Sequence, residues 1–266
     1  FYSMSMGKSI TSYVLGHAIC EGYIDGVDAR VNDWPIIKDS LYHDQKLIDF
    51  LNMSTGDQKY IDEFKFYEGT TKLTNYQDNS ISQTMSVALK GSVKSKSIYN
   101  YNGFVTQLII NYTKHKTGDD YEKLLNKIFA DKVKIKYSIL PYRNSGTGQG
   151  KLHPTISATR YDWLRIAKAI MDDYQNDTCV GKYLKTMHEN RVDRQYDEYS
   201  KFRGNHNAAQ TYGGQFLFDP IGIEDRTILM MDGFAGQQVV IDFNNNRIIT
   251  IHSTDRHYDY YNLVYL

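Results

Sequence analysis

SMGKSITSYVLGHAICEGYIDG, residues 5–26, opens with a serine and a lysine three positions apart and continues as a largely apolar run. Ile10, Val14, Leu15, Ala18 and Ile19 recur at helical spacing and Gly22 supplies a stop, so the pattern predicts a helix over 5–22. Positions i and i+3 share one face of a helix, so Lys8 can reach the Ser5 hydroxyl. A partly desolvated lysine releases its proton more readily and can activate a serine. The N–H groups at a helix start can hold a developing oxyanion. The same pair also reads as a helix cap followed by a solvated lysine. Ser-x-x-Lys occurs once in the chain.

The composition is that of a folded globular chain. Of 266 residues, 41% are hydrophobic and 23% charged, enough apolar material to bury a core. Lys plus Arg and Asp plus Glu both number 31. That balance gives no electrostatic footprint for nucleic acid or an anionic membrane. No apolar run is long enough to span a bilayer. Cys20 and Cys179 are the only cysteines. Their spacing fits neither a metal site nor a disulfide framework, and Cys20 reads as a core residue of the first helix. The eight histidines are scattered; His252 and His257 are the nearest pair and fit no metal spacing. Neither a metal nor a cofactor is expected.

The rest of the chain divides into helices and then strands. Residues 44–56 give a short amphipathic helix ended by Ser54, Thr55 and Gly56. Residues 59–98 are polar and carry no clear period. Residues 104–118 form a helix closed by Gly118, and 120–133 another. Residues 143–154, RNSGTGQGKLHP, are a Gly-rich loop but not a phosphate loop, because Ser145 and Leu152 stand where that motif needs Gly and Ser or Thr. A helix over 157–174 follows, with Ser157 as its cap. Strands are expected at 215–218, 226–233, 237–243 and 247–253, with Asn244–Asn246 as a hairpin turn. Helices in the middle and an antiparallel meander at the end indicate an α+β fold.

Several further blocks accompany the opening segment. They are Glu21-Gly22 with Ile24 and Asp28, FLNMSTG at 50–56, Thr117-Gly118 with Tyr121, ISATRYDWLRIAK at 156–168, and Gly233-Phe234-Ala235-Gly236-Gln237. In this order they resemble the serine β-lactamase and penicillin-binding-protein superfamily. The resemblance is nearest to the class C-like branch of esterases, D-aminopeptidases and 6-aminohexanoate-oligomer hydrolases. Of the S-x-x-K, S-D-N and K-T-G set of the class A enzymes, a sister class, only the first element transfers literally.

The resemblance implies an α+β sandwich: an antiparallel sheet flanked by helices, with a mostly helical subdomain and the site between them. It implies one catalytic domain over 1–266, with about 23–205 mainly helical and about 207–266 forming the sheet. The family's early strands precede Ser-x-x-Lys, so it further implies that an N-terminal portion is missing from this sequence. A small ester, amide or peptide-like substrate is implied, in a periplasmic or secreted bacterial setting ahead of a cytoplasmic one. Oligomeric state is left open.

The resemblance also assigns roles. Ser5 is the nucleophile and Lys8 its base. Aligning the second motif on Thr106, Gln107 and Leu108 makes Tyr101 the relay tyrosine and puts Gly103 where an amide or hydroxyl is usual; Tyr99, with Tyr101 third, is the alternative. The third motif reads Met231-Asp232-Gly233 and lacks its usual cation, which favours a neutral ester or amide over a substrate carboxylate. Gly233 and Gly236 let substrate lie against the strand, and the Phe234 N–H is the second oxyanion donor. Gly103, Met231, Tyr212 and Gln237 are possible pocket residues, with His206 beside them. Two rivals stand: a non-catalytic ligand-binding or sensor domain on the same scaffold, and a structural domain with a chance Ser-x-x-Lys.

Overall fold

Helix α1 (Met6–Cys20) has no solvent face: every residue from Met6 to Ala18 is buried. A helix apolar or small on all sides belongs in the middle of a domain, and the other elements pack around it. The computed structural model describes residues 1–61, 80–137, 140–143, 152–194, 209–223, 225–234 and 236–253, without the side chains of 140–143 and 152–155. His206 and His257 lie outside these residues, as do most of the Gly-rich loop and part of the stretch 59–98.

The remaining helices are α2 (Leu47–Leu51), α3 (Ile81–Val87), α4 (Gly103–Thr117), α5 (Tyr121–Asn126), α6 (Arg160–Gln175) and α7 (Cys179–Glu189). Helix α4 ends where the sequence indicates, at Gly118 with φ +55°. Helix α5 runs into a π-turn over Lys127–Lys132, so the stretch expected as one helix is continuous but not uniform. Two helix expectations need correction. The helix expected within 44–56 shrinks to the five residues of α2. Helix α6 is capped by Thr159, whose hydroxyl accepts from Asp162 N, rather than by Ser157. Ser157 ends a strand instead: β1 (Leu140–Arg143) pairs antiparallel with β2 (Leu152–Ser157) across the Gly-rich loop.

The main sheet has six antiparallel strands in sequence order: β3 (Val192–Asp193), β4 (Ala209–Gly213), β5 (Phe216–Pro220), β6 (Ile228–Gly233), β7 (Gln237–Asp242) and β8 (Arg247–His252). Successive side chains alternate between faces. Phe216, Phe218, Leu229, Met231, Val239 and Ile241 join the main core with α1, α6 and α7. Leu217, Met230 and Val240 face the other way and form a second cluster with Met53 and Tyr212. Both faces of β7 are covered, and all six of its residues are buried.

Cys20 and Cys179 form a disulfide, with Cα atoms 5.8 Å apart, and this overturns the reading of Cys20 as an unpaired core residue. The two cysteines are 159 positions apart in sequence and meet only because α1 lies against α7. Gly16 permits that approach, since a Cβ there would sit 2.6 Å from the Tyr183 ring. One turn earlier, the Ser12 and Tyr183 hydroxyls are hydrogen bonded at 2.7 Å.

Candidate active site

Residues 1–3 run antiparallel to the end of β2. Tyr2 bridges Ser157, and Ser3 N–H donates to Ile156 O at 2.8 Å. The Ser3 hydroxyl accepts from Ile156 N, which fixes Ser3 from both sides. Met4 then turns the chain with φ +47°, an uncommon conformation for a residue with a side chain. Helix α1 starts at once: Met6 N–H donates to Ser3 O, Gly7 N–H to Met4 O and Lys8 N–H to Ser5 O. Among the described residues, no hydrogen bond uses the Ser5 N–H. The strained turn thus leaves Ser5 half-exposed at the head of a buried helix.

Lys8 is buried, and its Nζ lies 3.0 Å from Ser5 Oγ, as the i, i+3 spacing anticipates. The same Nζ sits over the Tyr101 ring, 4.7 Å from its centroid. A cation over an aromatic face is held by the ring quadrupole. The structure therefore brings Ser5, Lys8 and Tyr101 together, with the Tyr101 ring face toward the lysine. Tyr101 belongs to an aromatic group. Its centroid is 6.3 Å from that of Tyr212 and 6.5 Å from that of Tyr99, and Tyr99 and Tyr212 are 5.1 Å apart. Beyond them, the Arg194 guanidinium lies 5.8 Å from the Tyr99 centroid.

The end of β6 closes against the same turn. A Cβ on Gly233 would come within 2.5 Å of Ser3 O and 3.3 Å of Met4 Cβ. Glycine is needed there for contact, not for backbone freedom. Phe234 follows in a turn with its side chain exposed, and Gly236 takes φ +78° on the way into β7. Other expected pocket residues are less available. The Met231 side chain is fully buried in the main core and does not line an open site. Gln237 is buried with its amide engaged by Ser253 O and the His252 ring. Gly103 is the first residue of α4.

Sequence reasoning missed several supporting residues. Asn102 caps α4, accepting from Val105 N at 3.0 Å. Its amide donates to Asp57 Oδ2 at 3.2 Å, and the Asn100 amide donates to Asp57 Oδ1 at 2.7 Å. Asp57 is wholly buried, and burial raises its carboxyl above the usual range against the downward pull of these donors. Gln215, in the β4–β5 turn with φ +66°, accepts from Thr106 Oγ1 through its side chain and from Ser9 Oγ through its carbonyl. These residues show no period or known motif. The repeated Asn of YNYN at 99–102 was the one visible signal.

No family model matches the chain, and no curated protein matches it in sequence. Solved structures do match in fold. A candidate β-lactamase from Bacteroides dorei DSM 17855 superposes with a TM-score of 0.65 at 17% identity, over 95% of this chain and 78% of that one. The D-amino acid amidase of Ochrobactrum anthropi gives 0.64 at 14% identity, over 98% and 79%. The octameric penicillin-binding protein homologue of Pyrococcus abyssi gives 0.64 at 12% identity, over 100% and 65%. The chain has the β-lactamase/transpeptidase-like α+β fold, in keeping with the order of its sequence blocks.

Proposed function

We propose that the chain is a serine hydrolase that cleaves a neutral ester or amide through an acyl-enzyme. The observation that carries this reading is the 3.0 Å contact between Lys8 Nζ and Ser5 Oγ at a strained, half-exposed turn. Ser5 Oγ attacks the carbonyl carbon, and its proton passes to the neutral amine of Lys8. Tyr101 helps carry that proton to the leaving group as the bond to it breaks. Water then attacks the acyl carbon, and the proton returns to Ser5 by the reverse path. The Ser5 and Phe234 N–H groups hold the oxyanion. Fold neighbours named as an amidase and a β-lactamase support acyl transfer as the reaction class. The third motif reads Met231-Asp232-Gly233, with no cation, which supports a neutral substrate.

Fluorophosphonate labelling and p-nitrophenyl ester hydrolysis test the reading. Both should vanish in Ser5→Ala, and hydrolysis that survives the change removes Ser5 from the mechanism. A second reading, a ligand-binding or sensor domain on this scaffold, draws support from the seat of Lys8 over the Tyr101 ring, which favours the charged ammonium. It predicts that mass spectrometry finds stable acylation of Ser5 without turnover.

A further inference from the structure

We infer that Asp57 is a positioning residue that holds Tyr101, with Tyr99 packed beside it, against the Ser5–Lys8 pair. The inference rests on the serine-hydrolase reading above. The tyrosines lie in a stretch, 93–102, that is neither helix nor strand, so no ladder of backbone hydrogen bonds fixes them. Two backbone bonds tie the stretch to the turn after α2: Ser95 N–H to Gly56 O and Asn100 N–H to Met53 O, both 2.8 Å. Gly56 is required for that approach, since a Cβ there would lie 2.5 Å from Ser95 O. Side chains of the described residues add further ties. Asn100 and Asn102 flank Tyr101, and both amides converge on Asp57. Tyr42 donates to the same carboxylate at 2.9 Å, and the Asn100 amide also reaches Ile61 O at 2.8 Å.

This arrangement is costly. A buried carboxylate held by neutral donors gives up its hydration without a counter-ion, and among the described residues no cation is a partner of Asp57. An apolar residue would fill the space at lower cost. What the carboxylate does that an apolar residue cannot is accept from residues 100 and 102 at once. That fixes the backbone on both sides of Tyr101, whose ring centroid lies 4.7 Å from Lys8 Nζ. Asn102 is shared with the cap of α4, so the clamp also sets where that helix begins.

Asp57→Asn replaces one acceptor oxygen with a donor facing the Asn102 amide and the Tyr42 hydroxyl. Single-turnover acylation of Ser5 by a p-nitrophenyl ester, thermal melting and amide exchange over 98–103 are measured together. Acylation should fall on the order of a hundredfold, the scale for a displacement near 1 Å. Ester affinity should be little changed, and exchange should rise at 98–103 but not in α1. Asn102→Asp alone sets two carboxylates together and should be worse. The pair Asp57→Asn with Asn102→Asp restores a donor facing an acceptor and should recover part of the rate. If Asp57→Asn does not fold, Asn102→Ser keeps a helix cap and removes one amide from Asp57; it should show the same loss of rate. A folded Asp57→Asn that acylates at the wild-type rate overturns the inference, as does a double variant that regains stability but no rate. If the wild-type protein is not acylated, the hydrolase reading fails. Exchange then decides: unchanged protection at 98–103 in Asp57→Asn rejects the clamp, and faster exchange there supports it.

Discussion

Gly233→Ala is the most direct probe of how the sheet and the nucleophile turn fit together. The added methyl would lie 2.5 Å from Ser3 O, 2.9 Å from Gln237 Cβ and 3.3 Å from Met4 Cβ. Ordinary contact begins near 3.4 Å, so the closest approach is short by about 0.9 Å. Ser3 cannot give way cheaply, because its N–H and hydroxyl are both bonded to Ile156. Gln237 is equally held, buried in β7 with its amide bonded. The strain must therefore move the end of β6 or the Met4 turn, each adjacent to a proposed oxyanion donor. Overpacking of this kind costs about 1–3 kcal/mol of stability. A shift near 1 Å at the reacting atoms costs about a hundredfold in rate. The protein should remain folded by circular dichroism with a lower Tm, while fluorophosphonate labelling of Ser5 slows by about two orders of magnitude. Wild-type labelling together with an unchanged Tm would show that β6 does not close on Ser3, and the site as drawn would be wrong.

Two further outcomes follow from the buried helix. Dithiothreitol, or the pair Cys20→Ala with Cys179→Ala, should lower stability by about 2–4 kcal/mol and Tm on the order of 10 °C; two titratable thiols in the untreated protein would disprove the bond. Burial, reinforced by the charge of Lys132, pushes the His17 imidazole down to about 4 from its usual 6.5. The folded state therefore prefers neutral His17. Its contribution to stability is complete above pH 6.5 and is lost as pH falls toward 4, at most about 3 kcal/mol. His17→Gln should flatten urea-melting stability between those pH values, and an unchanged slope would place that acid sensitivity elsewhere, His252 being lowered to about 4 as well.

Elements with strong local signals were legible in the sequence. Short apolar runs between turn residues gave β6, β7 and β8 within two residues, and Gly118 marked the end of α4. The i, i+3 spacing puts Lys8 within reach of Ser5, and the ordered blocks favour that pairing over a solvated lysine. What could not be read depends on contacts between distant segments. Helix α7 begins at Cys179, and its register is set by Tyr183 against Gly16 and by the disulfide. β4, AQTYG, has little apolar content; Gly213 is forced by Met187 O, 2.3 Å from where its Cβ would lie. The motif position makes Met231 a possible pocket residue, but the alternation of β6 sends its side chain to the core face. Asp57, Asn102 and Gln215 act through one-to-one polar bonds, which leave no periodic trace.

The two walls of the site are both held by polar bonds between distant segments. Helix α1 is tied by polar bonds along its length: Ser3 to Ile156 before it, Ser9 to Gln215, Ser12 to Tyr183, Tyr13 to Asp173, then the disulfide at Cys20. Rotating or sliding the helix breaks the hydrogen bonds together and strains the disulfide. Each hydrogen bond is worth about 1 kcal/mol net, and a buried partner left unsatisfied costs about 1–3 kcal/mol more. Displacing Ser5 relative to the core therefore costs several kcal/mol before any apolar contact is counted. The facing wall, with Tyr99 and Tyr101, is tied by Ser95 N–H to Gly56 O, Asn100 N–H to Met53 O, Val93 N–H to the Tyr60 hydroxyl, the Gln58 amide to Lys96 O, and the Asn100 and Asn102 amides to Asp57. By the same arithmetic it too resists displacement, so Ser5 and Tyr101 are both set in place by the fold before substrate arrives.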